Sequence, residues 1–355
     1  MPDRPMHSQP GNKRTYPQAA AARARERPLW LFLTEPGLGG LLGRELKFRD
    51  VVAQKTQFAK LHLRNYDLLI APDAVVQKQS MTSRIASHIL VCPVFGREKV
   101  SGMQLDQLAS WSAQEGAHSL VKSIAGETLS RPEFERFVTR GLSERGVKLS
   151  GEGKPIWLLA VDEKYYFAFP RFNYHDAPGR QRSSEREGSL PAVAASAMVF
   201  AAKPGGTEVI WDPVMGSGTL LNEAQQMLPD ARLIGSDIDA GAVRLAKQRL
   251  RKTNRVRILH TDLERVRFEE AITLTLANLP FGKQFKPESG TRALYEAVLR
   301  HSLRSAAENW RGCLLTSDTD ALKAAVASIG GLAIDEVAVV VVRGMQATIS
   351  LVTRV

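Results

Sequence analysis

The stretch EVIWDPVMGSGTLLNEAQQM, residues 208–227, decides how the second half of this chain is read. Glu208–Trp211 is a short apolar run of the kind that forms a buried strand, and from Gly218 to Met227 apolar residues recur at helical spacing. Between them lies Asp212-Pro213-Val214-Met215-Gly216-Ser217-Gly218-Thr219. A strand that turns through two glycines into a helix lets the backbone approach a ligand closely and points free N–H groups at it.

The same alternation continues to the C-terminus. Further strand-like runs occur at Arg232–Ser236, Val256–His260, Leu274–Ala277, Gly312–Thr316, Val337–Val342 and Ala347–Val352. Helical text falls at Ala240–Lys252, Thr291–Ala307 and Asp320–Ser328. Strands alternating with helices predict a doubly wound α/β sheet. Only a few residues around Arg343-Gly344-Met345 separate the last two strands, too few for a parallel crossover, so these two form an antiparallel hairpin.

Working toward the N-terminus, residues 173–188 are polar and hold Arg180, Arg182 and Arg186, which reads as a linker. Ahead of it the text is mixed. Leu29–Leu33 and Phe58–Leu63 read as strands on either side of a helix ending at Phe48. Ser83–Val91 forms a further element, Pro132–Arg145 an amphipathic helix, and Ile156–Ala160 and Tyr165–Phe169 two more strands. Residues 1–27 are basic, proline-bearing and aperiodic, and read as a disordered tail. A transit peptide is another reading of that tail, opposed by its prolines. The expected organisation is a tail over 1–27, an α+β domain over 28–172, a linker over 173–188 and an α/β domain over 189–355.

Composition narrows the function class. Across 355 residues Lys and Arg number 48 against 37 Asp and Glu, a formal charge of +11 that favours a polyanionic partner such as nucleic acid. Two distant cysteines, Cys92 and Cys313, exclude a disulfide scaffold and a cysteine-based zinc site, and fit a reducing compartment. No apolar run reaches the roughly 18 residues of a membrane-spanning helix.

Three acidic residues sit where sheets of this kind bind ligands, at the C-terminal ends of strands. Asp237 lies 25 residues beyond Asp212, near the offset at which a carboxylate takes a ribose hydroxyl in a dinucleotide fold. Asp239 is better read as the cap of the following helix. Asp262, after the third strand, suits either a hydrogen bond from an adenine amino group or a turn.

Asn278-Leu279-Pro280-Phe281-Gly282 closes the fourth strand and points to the reaction class. An asparagine side chain and a carbonyl held by proline supply two acceptors for one exocyclic amino group, while Phe281 offers a stacking face for a base. Drawing both amino protons outward favours the pyramidal, nucleophilic nitrogen that the ring otherwise suppresses. The plainer alternative is an Asn-x-Pro turn with a core phenylalanine.

Together DPVMGSGT, GSDID, HTDL and NLPFGK resemble the class I S-adenosylmethionine-dependent methyltransferases, and within them the RNA guanine-N2 methyltransferases that carry a THUMP domain. Residues 188–202 resemble the helix before the first strand in that family, and the catalytic resemblance spans roughly residues 180–355. Residues 31–38 with Glu45-Leu46, and residues 81–87, resemble the ferredoxin-like segment that precedes THUMP. The resemblance implies a Rossmann-like seven-stranded catalytic domain behind a smaller ferredoxin-like and THUMP-like one. It implies that Asp212, Gly216 and Gly218, with Ser217 and Thr219 between and beside them, hold the methionine part of the cofactor. Asp237 with Ile238 would hold the ribose, Asp262 the adenine, and Asn278, Leu279, Pro280 and Phe281 the target base.

The expected partner is structured RNA, tRNA ahead of rRNA, met by a cytoplasmic monomer with neither metal nor membrane contact. Lys283 and Lys286, just after the catalytic motif, and Arg180 and Arg182 in the linker are placed to meet phosphates. Arg244, Lys247, Arg249, Arg251, Lys252 and Arg255 form a basic stripe that reads either as a solvated helix face or as an RNA contact. Two rival functions share these features: an adenine-N6 methyltransferase, which uses the same pair of acceptors, and a catalytically silent RNA-binding protein.

Overall fold

The computed structural model describes residues 27–63, 65–78, 82–95, 100–115, 118–125, 131–149, 154–161, 164–174, 190–205, 207–250, 253–280, 290–342 and 344–355. In chain order the first elements are β1 (Leu29–Thr34), α1 (Gly39–Phe48), β2 (Ala59–Leu63), β3 (Tyr66–Pro72), β4 (His88–Phe95), α2 (Gly102–Glu115), β5 (His118–Ala125), α3 (Arg131–Ser143), β6 (Lys154–Val161) and β7 (Lys164–Asn173). The later half holds α4 (Ala192–Ala201), β8 (Val209–Asp212), α5 (Thr219–Met227), β9 (Arg232–Asp237), α6 (Ala240–Arg249), β10 (Val256–His260), β11 (Ile272–Asn278), α7 (Thr291–Arg304), β12 (Ala306–Thr316), α8 (Thr319–Ile329), β13 (Leu332–Val342) and β14 (Met345–Arg354).

These elements fall into two compact units, one comprising Cys92–Phe169 and the other Trp30–Val91 together with Pro170–Val355. In the first unit β6 pairs parallel with β5 and antiparallel with β7, and α2 packs on α3 through Leu105, Leu108, Val138 and Leu142. Arg145 ties those two helices by donating to Asp106 at 2.6 Å.

Among the described residues the second unit is built on a seven-stranded sheet of order β10-β9-β8-β11-β12-β14-β13. The first five strands are parallel, while β14 runs antiparallel to both β12 and β13, so the expected hairpin closes the sheet. Helix α4 packs on α5 and α7 on α8. Trp211, Tyr295, Val298, Leu299, Trp310, Leu314 and Leu322 fill the core beside α7 and α8. The expected helix over 291–307 ends earlier, because Ala306 already pairs with Ile272 of β11. There strand pairing and the burial of Trp310, whose indole donates to Thr275 at 3.1 Å, override the local helical text.

Two buried carboxylates fasten Trp30–Val91 within this unit. Asp67 of β3 accepts from the backbone N–H groups of Gly37 and Gly39 at 3.0 and 2.9 Å, which fixes the turn into α1. Glu45, fully buried on α1, accepts from Ser83 Oγ at 2.6 Å, from the backbone of Arg84 and Ile85 at 2.8 and 3.0 Å, and from Arg49 at 2.7 Å. A carboxylate with this many donors offsets the cost of its burial. Arg84 in turn donates to Gln226 of α5 at 2.7 Å and faces Glu223, which also accepts from Ser196 of α4 at 2.7 Å. The helix that follows the glycine turn is therefore braced from two sides.

Gly37 packs against β13 with φ +90°, and a Cβ built there would lie 1.7 Å from the carbonyl oxygen of Val339. Both the backbone angle and the contact demand glycine. Gly37→Ala is expected to cost at least about 2 kcal/mol, read as a lower urea midpoint with an unchanged slope.

Candidate active site

The strand order reverses between β8 and β11, and such a reversal opens a crevice at the C-terminal ends of the strands. Asp212 ends β8 and Asn278 ends β11. Thr275 lies opposite Trp211, so Asn278 projects two residues, about 7 Å, beyond the level of Asp212.

The loop after β8 is bound to β9 residue by residue. Met215 N–H donates to Ser236 O at 3.1 Å, Ser236 Oγ to Pro213 O at 3.3 Å, and Gly216 N–H to Asp237 Oδ2 at 2.8 Å. Gly216 has φ +54°, and a Cβ there would meet nothing within 4 Å, so its backbone borders open space. Helix α5 begins at Thr219 without a side-chain cap, which leaves the N–H groups of its first turn available to a ligand. The hydroxyls of Ser217 and Thr219 are engaged inside the protein, both accepting from Arg249 of α6. Arg249, read in sequence as part of an exposed stripe, is thereby turned toward this loop.

Asp237 is half-buried, and its second oxygen accepts from Asp239 N–H at 2.9 Å. Each carboxylate oxygen so far accepts one hydrogen bond and keeps capacity for another. Next to it Ile238 is 68% exposed, an apolar side chain left uncovered at the sheet's ligand-facing end. Asp239 caps α6 as expected, accepting from Gly241 and Ala242 N–H at 2.7 and 3.2 Å. Exposed Asp262 accepts from Glu264 N–H at 2.8 Å, which is a turn-capping bond, and His260 beside it contacts Ile238 O at 3.0 Å.

Asn278 carries the least expected feature. Its Oδ1 is buried and accepts no hydrogen bond among the described residues. The backbone behind it is rigid: fully buried Leu279 donates its N–H to Leu315 O at 2.9 Å. Tyr295 of α7 bridges Pro280 O at 3.2 Å and Thr316 Oγ1 at 2.6 Å, and burial pushes its phenol pKa up. Sequence reading missed Tyr295, which looks like any apolar position of an amphipathic helix. Phe281, Lys283, Lys286, Arg180 and Arg182 lie outside the described residues, as do Arg186, Arg251 and Lys252.

Asp212 is 1% exposed and accepts from Val214 N–H at 3.2 Å. Burial, reinforced by the charge of Asp237, holds its pKa well above the usual carboxylate range despite that hydrogen bond. The folded state therefore binds this proton more tightly than the unfolded chain, and the group's contribution to stability is lost as pH rises above about 4. Asp212→Asn is expected to match the wild type in urea unfolding near pH 4 and to exceed it progressively toward pH 8. Parallel pH profiles for the two proteins would refute this.

Comparison with known proteins relates this geometry to methyltransferases. Residues 180–346 match the family described as the RMKL-like methyltransferase domain. A tRNA (guanine(6)-N2)-methyltransferase of Thermus thermophilus is 28% identical over 314 residues, covering 84% of this chain and 92% of that protein. The crystal structure of TrmN from Thermus thermophilus shares the fold with a TM-score of 0.73 at 23% identity, over 92% of this chain and 100% of that one. SMU.472, solved in complex with SAH, shares it with a TM-score of 0.68 at 14% identity, over 92% and 98% of the two chains. Residues 180–346 are thus similar to the RMKL-like methyltransferase domain, and the chain is a methyltransferase.

Proposed function

We propose that this enzyme methylates the exocyclic N2 amino group of a guanine in tRNA, with S-adenosylmethionine as methyl donor. The observation that carries the reading is the buried, unpartnered Oδ1 of Asn278 at the tip of β11. Leaving such an acceptor unpaired costs about 1–3 kcal/mol, a cost that an amino group of the target base would relieve. The relative's printed activity, a tRNA guanine-N2 methylation, supports the choice of base and of RNA.

The residues at the glycine turn fit the donor. The open space at Gly216, the uncapped start of α5 and the buried carboxylate of Asp212 suit its methionine part. Asp237 has acceptor capacity left for ribose hydroxyls, and Ile238 and Asp262 flank the place for adenine. When bound, S-adenosylmethionine supplies a methyl group on a positively charged sulfur. The chain's own part is to hold the nucleophile. Asn278 Oδ1 and the carbonyl of Leu279 accept the two amino protons, and the Tyr295 bridge keeps the following peptide from drifting. Phe281 stacks on the base, while Lys283, Lys286, Arg180 and Arg182 meet neighbouring phosphates.

The segment 28–172 acts as the RNA-docking module in this reading, and the protein works as a monomer in the cytoplasm. Neither Cys92 nor Cys313 forms a disulfide, and both are buried, in keeping with a reducing compartment. Among the described residues no helix is long and apolar enough to cross a membrane.

The test is transfer of labelled methyl to unmodified tRNA, followed by nucleoside analysis. N2-methylguanosine is expected. N6-methyladenosine would transfer the assignment to the adenine enzyme, and binding without label to the silent RNA-binding protein. Asn278→Ala is expected to lower turnover by about 100-fold or more while S-adenosylmethionine affinity stays within about twofold. Undiminished turnover would remove Asn278 from the site.

A further inference from the structure

Strand β10 is the edge of the catalytic sheet, and α6 runs alongside it. Between them lies a groove of about 670 Å³ lined by Arg244, Lys247, Gln248, Thr253, Ile258 and His260. It follows the five residues of β10, about 17 Å, from His260 at the C-terminal end, and continues to Thr253 just ahead of the strand's start. One end is therefore beside Ile238 and Asp262, at the ligand-facing end of the sheet, and the other at the opposite end.

Charge accounting sets two of these side chains apart. Four nearby arginines are occupied: Arg232 pairs with Glu270, Arg255 with Asp230, Arg257 with Glu269, and Arg249 holds Ser217 and Thr219. Arg244 and Lys247 are exposed, lie three residues apart on one face of α6, and have neither hydrogen bond nor ion pair among the described residues. Among the described residues no carboxylate lines the groove; Gln248 and Thr253 add neutral hydrogen-bonding groups, and Val243, Leu250, Val256 and Ile258 give it an apolar floor. A solvated helix face carries its cations among balancing carboxylates, whereas this trough collects positive charge along an open channel.

We propose that the groove between α6 and β10 binds the phosphodiester backbone of the RNA substrate, with Arg244 and Lys247 as its phosphate contacts. Its length is enough for several consecutive phosphates of one strand. Three strand spacings, about 14 Å, separate β10 from β11, so an RNA strand that presents its base at Asn278 reaches the groove within a few nucleotides. The inference rests on the reading of the substrate as RNA and assigns it a contact surface away from the reacting base.

The test uses the full chain and an unmodified tRNA transcript, with binding followed by fluorescence anisotropy across a salt series. The double variant Arg244→Gln, Lys247→Gln is expected to bind roughly tenfold more weakly near 0.1 M salt, with KM for tRNA rising in step. The slope of log affinity against log salt is expected to fall by about 1.5, the share of two phosphate contacts, while S-adenosylmethionine affinity stays unchanged. An unchanged slope and affinity for tRNA would overturn the proposal. So would a loss of S-adenosylmethionine affinity, which would make the groove part of the cofactor pocket. Should the wild type show the expected binding but form no N2-methylguanosine, the groove stands and the functional reading falls. Normal methylation with an indistinguishable variant leaves the functional reading standing and removes the groove.

Discussion

Among the described residues the buried Oδ1 of Asn278 meets no donor, and an acceptor left so is a standing cost. The amide oxygen is buried although Asn278 as a whole is half-buried, and the peptide that follows is pinned at Leu279 by Leu315 and at Pro280 by Tyr295. Proline gives that loop no N–H of its own at position 280. Strands β11 and β12 must be in register for Leu315 to reach Leu279, and α7 must dock on the sheet for Tyr295 to reach both Pro280 and Thr316. The acceptor is thus pre-organised by the fold, which is where electrostatic stabilisation of a transition state gains most.

Across the crevice the glycine turn is held by the same strategy with opposite polarity. There the backbone N–H of Gly216 is tied to a carboxylate, Asp237, whose other oxygen is fixed by Asp239. Buried Asp212 adds an anion that the isolated fold tolerates poorly, as its raised pKa records. Among the described residues one strand tip therefore presents unsatisfied acceptor capacity in a neutral amide, and the next two present it in carboxylates. The bracing reaches into Trp30–Val91, where Glu45 orders Ser83–Ile85 and so aims Arg84 at α5.

Much of this was legible in the sequence because it is local. The strand–glycine–helix text of residues 208–227, the run Val256–His260 and the short hairpin link each state their conformation within a few positions. Asp239 directly before a helical run announced its capping role. What stayed hidden depends on tertiary contact. Tyr66–Pro72 has Leu68, Leu69, Ile70 and Ala71 buried in succession and so lacks the alternation that marks a half-exposed strand. The start of β12 at Ala306 is set by pairing with β11 rather than by its own residues. Arg249 looks identical in sequence to Arg244 and Lys247, and only the fold shows that it turns inward to Ser217 and Thr219 while they face a groove. Nor does any spacing reveal that Asn278 Oδ1 is left without a donor.

The claim at the centre of this account is that Asn278 and Leu279 grip the amino group of a guanine. It is tested most directly with a tRNA transcript made with inosine in place of guanosine, which keeps the ring and O6 but lacks the N2 amino group. The account requires the inosine transcript to accept no methyl under conditions in which the guanosine transcript is labelled. Equal labelling of the two transcripts would contradict it, because the reacting nitrogen would then lie elsewhere.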